Sequence, residues 1–186
     1  MLTDEQIKAN RNEIIRLLTS TKRRGVKSVL EYLDSSGFYE APSSIDRHHN
    51  WRGGLAQHSL SVCNIAIELG RGLPLDSVII AGLLHDICKA AKLYYDENKV
   101  IRRRNTHIKG HGYRSIKLLK ICGLELTDKE VLAIRWHMGG HHASLTEKIE
   151  VIKAREDKLW KVIHHADKLD ASGRYRGDIF YIEILR

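Results

Sequence analysis

The sequence predicts an all-α protein, and three observations predict it. Only two prolines occur in 186 residues. Apolar residues recur at three- and four-residue spacing along most of the chain, and runs of alternating β-branched residues are nearly absent. The length suits one domain with a sizeable core, and 42% hydrophobic with 29% charged residues is ordinary for a globular chain. No linker or internal repeat divides it. Residues 1–40 are expected as N-terminal helices packing on a main helical bundle of residues 41–186, one structural unit overall.

Thr3 or Asp4 can cap a first helix, in which Ile7, Ile14, Leu17 and Leu18 share a face. A second helix follows Lys22, carries Val26, Val29, Leu30 and Leu33, and stops near Ser35-Ser36-Gly37. Residues 38–54 (FYEAPSSIDRHHNWRGG) read as a long loop, a kind of segment that is often functional in a compact domain. The spacing predicts a helix over 55–69, with His58 on the same apolar face as Val62, Ile65 and Leu69. After a break at 70–74, a helix over 75–88 carries Val78, Ile79, Ala81, Leu83 and Leu84, and puts His85 and Asp86 in its last turn. Residues 92–104 contain two short β-like runs around Asp96-Glu97-Asn98, a small hairpin. A helix over 106–122 places His111 on an inward face. Thr127 and Glu130 form a capping box for a helix ending at His137. Residues 138–148 read as loop. A helix over 156–171 has Leu159, Val162, Ile163, Ala166 and Leu169 as its stripe, flanked by both Asp167 and Asp170. The tail 178–186 reads as one more helix.

The net charge is +8, with basic clusters at Lys22-Arg23-Arg24 and Arg102-Arg103-Arg104. Such a balance suits a phosphate-bearing partner: a phosphorylated small molecule, a nucleotide or a short nucleic acid. Little aromatic interleaving accompanies the basic runs. Cys63, Cys88 and Cys122 are far apart and odd in number, which fits core thiols in a reducing compartment. No apolar stretch reaches the roughly 18 residues of a membrane helix, and the polar, acidic start is unlike a secretory signal. A cytoplasmic location is expected.

The chemistry centres on Leu83-Leu84-His85-Asp86-Ile87-Cys88-Lys89. A neutral imidazole beside a carboxylate suits a divalent metal, and both groups are costly to bury without a partner. Five helical positions on apolar faces carry metal-type ligands: His58, His85, Asp86, His111 and His137. Asp167 or Asp170 makes a sixth, and spacing alone does not choose between them. Lys89 could hold a phosphate oxygen as a point charge. His48, His49 and Arg52 are loop residues that could line a polar cleft, and Arg52, His49, His141 and His142 could touch substrate.

This order of ligands, His … His-Asp … Asp with two further histidines between, resembles the HD-domain metal-dependent phosphohydrolases. The segment HHNWRGGLAQHSLSV is most similar to the HD domains of bacterial 3′–5′ exoribonuclease-type proteins. Cys88 stands where such proteins often carry glycine. About forty helical residues precede the loop in place of their nucleic-acid-binding OB-fold. The resemblance favours Asp167, in HHADKLDA, as the terminal ligand. It implies one metal held by His58, His85, Asp86 and Asp167, and a second held by His111 and His137 with Asp86 bridging. The cofactors would be one or two divalent transition metals, among Fe, Mn, Co, Ni and Zn. The implied activity is hydrolysis of a phosphomonoester or phosphodiester of a nucleotide or short oligonucleotide by a metal-activated hydroxide. Two alternatives stay open on the same ligands: an HD-fold diiron oxygenase, and a non-catalytic, metal-stabilised nucleotide-binding module.

Overall fold

A computed structural model describes residues 2–90, 92–95, 100–103, 110–141 and 143–173. Among them are eight α-helices: α1 (Asp4–Ser20), α2 (Val26–Ser35), α3 (Gly54–Leu69), α4 (Leu75–Leu84), α5 (His111–Ile121), α6 (Asp128–Trp136), α7 (Lys148–Glu156) and α8 (Lys158–Ala171). Strands β1 (Leu93–Tyr95) and β2 (Ile101–Arg103) pair antiparallel, with Leu93 opposite Arg103. This is the expected all-α bundle with one small hairpin. The tail 178–186 lies outside the described residues. No helix among the described residues is long and apolar enough to cross a membrane.

The bundle is built around α4. Every residue from Ser77 to Leu84 is buried, and a helix apolar on all sides is stable only when other helices surround it. Helices α1, α3, α6 and α8 supply that surround. Gly82 sets how closely α3 can approach, because a Cβ there would come within 2.8 Å of the Cys63 Cα. Gly112 does the same where α5 meets α6: its Cβ would lie 2.2 Å from the Arg135 carbonyl oxygen. The first turn of α5 is thereby held against the end of α6. Cys63 and Cys88 are buried as free thiols, and Cys122 is half-buried.

The capping box at Thr127 is present: Thr127 Oγ1 accepts from Glu130 N–H at 3.3 Å, and Glu130 Oε2 accepts from Thr127 N–H at 2.8 Å. Thr3 and Gln6 make the same arrangement at α1. Elsewhere the structure corrects the expectation. The helix expected over 75–88 ends at Leu84. His85 keeps helical dihedrals, Asp86 leaves them (φ −113°, ψ 14°), and a 3-10 turn follows over Ile87–Lys89. Helix α5 starts at His111, directly after Gly110 (φ 72°), and not at residue 106; residues 104–109 lie outside the described ones. The loop expected over 138–148 is shorter in effect, because an additional helix, α7, follows it. That helix buries only Val151 and Ala154 and leaves Ile149 and Ile152 exposed, so it has no clear apolar stripe. Asp157 is extended, separates α7 from α8, and caps α8 by accepting from Leu159 N–H at 2.8 Å.

Arg23, part of a cluster expected to suit phosphate, has a structural task instead. Its guanidinium donates to both carboxylate oxygens of Glu130 (2.9 and 3.0 Å), to the Glu125 carbonyl oxygen (3.0 Å) and to Asp76. Glu130 is fully buried. One side chain thus fastens the α1–α2 turn to the starts of α4 and α6. Removing one partner of a buried pair strands the other charge, at a cost of about 3–5 kcal/mol. Arg23→Ala is therefore expected to lower stability by about that amount in denaturant unfolding; a loss of a few tenths would contradict the assignment.

Candidate metal centre

The ends of three helices and the middle of a fourth meet at one point in the core. His58 comes from the second turn of α3, His85 and Asp86 directly follow α4, His137 directly follows α6, and Asp167 lies on α8. His58, His85 and His137 are fully buried, and Asp86 and Asp167 nearly so.

Each imidazole is oriented through Nδ1. His85 donates from Nδ1 to the Gly82 carbonyl at 2.9 Å, His137 to the Ile134 carbonyl at 2.7 Å, and His58 to Asp170 Oδ2 at 2.6 Å. This fixes which nitrogen turns inward, so all three Nε2 atoms face the centre; those of His85 and His137 carry a lone pair, and that of His58 does once its proton is displaced. His58 Nε2 and His85 Nε2 are 3.2 Å apart. Asp167 Oδ1 lies 3.3 Å from His58 Nε2 and 3.8 Å from His85 Nε2. Asp86 Oδ2 lies 3.7 Å and 3.5 Å from the same two atoms. Ligands bound about 2.1 Å from one transition metal are separated by roughly 3.0–3.4 Å in tetrahedral or adjacent octahedral positions. Four acceptor atoms already stand close to that spacing, so the donor set fits a divalent cation.

The electrostatics point the same way. Burial works against a charge on His58, but Asp167, Asp170 and Asp86 outweigh it and raise its pKa to about 10. A proton on His58, together with the Lys89 ammonium beside Asp86, supplies positive charge to the cluster. A metal there would displace the proton. Burial lowers His85 to about 4, so it is a neutral ligand base. Burial alone would raise the Asp86 and Asp167 carboxyls. The lysine and histidines around Asp86, and the histidines around Asp167, hold both well below the usual carboxylate range.

Asp86 Oδ1 and His137 Nε2 lie 3.6 Å apart, both buried and without a hydrogen-bond partner. They form a second face of the same cluster, and buried orphan acceptors of this kind call for a cation or donor. His111 stands off from it: no ligand atom of His111 joins the groups that converge within 4.8 Å among the described residues. Its Nδ1 accepts from Arg114 Nη2 at 3.3 Å, which leaves the proton on Nε2. Lys89 Nζ lies 2.6 Å from Asp86 Oδ2.

Above the cluster opens a cleft of about 770 Å³. Asp86, Lys89, His111, His137 and Asp167 form its floor, and Arg47, Lys92 and Lys168 bring positive charge to its walls. Arg52, expected to touch substrate, does not line it: its guanidinium is bonded to Glu40 (3.2 Å) and Asp4, and ties the loop to α1. His49 also lies behind the cluster, its Nε2 2.9 Å from Asp170 Oδ2. Its left-handed backbone (φ 51°) accompanies the reversal that leaves His48, not His49, on the cleft wall. His141 is exposed on the wall of a neighbouring cavity, and His142 lies outside the described residues.

His48, expected from the loop as a cleft residue, lines the cleft; Arg47, Lys92, His164 and Lys168 line it without having been anticipated. Arg47 and Lys92 carried no usable signal, being in a loop and beside the hairpin. The other two did: His164, Asp167, Lys168 and Ala171 recur at three- and four-residue spacing on α8. Asp170 also meets His58, at Nδ1, while Asp167 lies nearest its Nε2, and with His49 and His58 it forms a further group that could hold a metal ion. Outer partners of ligating histidines commonly contribute 10- to 100-fold in metal affinity. Asp170→Ala is therefore expected to release metal to a chelator at about 10- to 100-fold lower chelator concentration, with helical circular dichroism retained.

Comparison with known proteins agrees with this geometry. Residues 55–172 match the HD domain. The chain is 26% identical over 145 residues to a dihydroneopterin 2′,3′-cyclic phosphate phosphodiesterase of Methanocaldococcus jannaschii, an alignment covering 71% of this chain and 52% of that protein. The chain thus spans about half the length of the curated relative it matches. No solved structure matches it. With the family match covering more than half of the chain and containing every residue of the buried cluster, this protein belongs to the HD-domain family.

Proposed function

We propose that the protein is a metal-dependent phosphohydrolase, cleaving a phosphomonoester or phosphodiester of a nucleotide or similar phosphorylated small molecule. One observation carries this reading: four buried ligand atoms, His58 Nε2, His85 Nε2, Asp86 Oδ2 and Asp167 Oδ1, come together beneath a cleft walled by lysine and arginine, whose lining Asp86 and Asp167 reach. The relative from M. jannaschii, named as a phosphodiesterase, supports the reaction class. The segment similar to exoribonuclease-type HD domains extends the reading to short oligonucleotides. Buried free thiols fit a cytoplasmic setting.

His58, His85, Asp86 and Asp167 would hold one divalent ion. Asp86 Oδ1 and His137 Nε2 offer a second position, which His111 completes only by leaving Arg114. When bound, the metal supplies Lewis acidity, making water nucleophilic at neutral pH and drawing charge from phosphoryl oxygens. The chain's own contribution is placement. Arg47, Lys92 and Lys168 draw an anion into the cleft. Lys89 is pinned by Asp86 and is partly buried; burial opposes its charge, yet the Asp86 carboxylate keeps its pKa raised, so the ammonium stays cationic. From there it can hold a non-bridging phosphoryl oxygen as charge gathers on it.

Metal analysis of the purified protein, combined with a phosphate-release screen over mono-, di-, cyclic and oligonucleotides, tests the proposal. Bound transition metal, and hydrolysis abolished by EDTA and restored by added metal, are expected. Asp86→Ala should lose metal and activity together; an active, metal-free variant overturns the reading. Lys89→Ala is expected to retain metal while kcat falls by about 100-fold, the scale of a lost transition-state donor.

A further inference from the structure

A second cavity, of about 1010 Å³, adjoins the first. The two share His111 and Met138 as a common border. The border is local in sequence on both sides. His111 opens α5 and Tyr113 is two residues on; His137 closes α6 and Met138 is the next residue. The same two helix ends that face the metal cluster therefore also face the second cavity.

The linings differ in chemistry. Lysine and arginine wall the first cleft. The second is walled by Tyr113, Trp136, Met138 and Ala143, with His141 and Glu147 on its polar side. Tyr113 and Met138 are large, apolar, and 50% and 60% exposed. Arg135, the cation in this wall, is already paired with Glu147 (3.0 Å) and Glu150 (3.1 Å). Its guanidinium lies over the Tyr113 ring (5.5 Å to the centroid) and the Trp136 ring (5.0 Å). One guanidinium thus backs both rings, and its charge is spent on them and on the two glutamates. Such a wall suits a flat, uncharged, polarisable group and not a second phosphate.

We propose that this second cavity receives the planar nitrogen-heteroaromatic ring of the substrate, with Tyr113 as its stacking face and Met138 as its edge, while the phosphoester lies in the adjoining cleft. This rests on the phosphohydrolase reading and adds to it the place of the ring: a subsite at Tyr113 and Met138 that selects ring-bearing phosphoesters over those without a ring.

The test compares equilibrium binding of two inert probes to the metal-loaded protein by calorimetry: a nucleoside 5′-phosphonate and the ribose phosphonate that lacks the base. Both carry a C–P bond that hydrolysis does not cut. Wild type is expected to prefer the base-bearing probe by at least tenfold. Stacking of a base on an aromatic side chain contributes about 1–3 kcal/mol, so Tyr113→Ala should reduce that preference by roughly 5- to 100-fold. Tyr113→Phe should keep it, and Met138→Ala should weaken it. Equal binding of the two probes by wild type, or a preference untouched in Tyr113→Ala and Met138→Ala, overturns the proposal. The two readings fail separately. Hydrolysis of phosphoesters without any preference for a ring removes the subsite and leaves the activity. Ring binding that depends on Tyr113, with no phosphoester hydrolysed, does the reverse.

Discussion

Four ligand-type atoms crowd together in the core, and the chain itself sets against them only a proton on His58 and the Lys89 ammonium beside Asp86. Two imidazole nitrogens 3.2 Å apart, with a carboxylate oxygen 3.3 Å from one and another 3.5 Å from its neighbour, repel one another unless something positive sits among them. The surrounding helices can be understood as the means of imposing that arrangement. Two of the three histidines are anchored by a carbonyl in the preceding turn of their own chain, Gly82 for His85 and Ile134 for His137. His58 is anchored across the bundle by Asp170. Rotating any ring away would break a buried hydrogen bond, so the unfavourable convergence is held by three favourable contacts outside it.

The position of α4 follows from the same constraint. Ligands from α3, α6 and α8 can reach one point only if these helices surround the element that supplies the central pair. An all-apolar helix is suited to being surrounded, and Gly82 removes the last obstacle to close approach on the α3 side. The basic surface charge is divided accordingly. Lys89 turns inward and Arg47, Lys92 and Lys168 face the cleft, whereas Arg23 is consumed by the buried Glu130 and Asp76 contacts that hold α2, α4 and α6 in register.

Much of this was legible from residue spacing. The apolar stripes of α3, α6 and α8 place His58, His137 and Asp167 inward, and the capping box at Thr127 marks one helix start to the residue; for α1 the sequence leaves Thr3 and Asp4 open, and the structure puts the cap at Thr3. What escaped detection has physical reasons. Helix α7 buries two residues only, too few for a periodic signal. The 38–54 loop has no period, so nothing in it distinguishes His48 from His49, or reveals that Arg52 is held by Asp4 and Glu40. Asp167 and Asp170 compete as ligands in a reading of the stripe, because positions three apart on a helix face the same way. In three dimensions one reaches His58 at Nε2 and the other at Nδ1, a distinction that periodicity does not carry.

The departure of Asp86 from helical dihedrals has a consequence for how tightly a cation could be held. Along an intact helix of 3.6 residues per turn, adjacent side chains diverge by about 100°, and His85 and Asp86 could not turn toward a common atom. Because the backbone changes course at Asp86, two consecutive residues would serve an ion as a chelating pair, with no chain between them to order on its arrival. The conformational freedom such a clamp would otherwise surrender on binding has already been lost in folding, through burial of α4. Cation affinity and the integrity of that one helix end are then a single thermodynamic quantity. Anything that restored a regular helix through Asp86 would weaken the grip on the ion without altering one of its ligands.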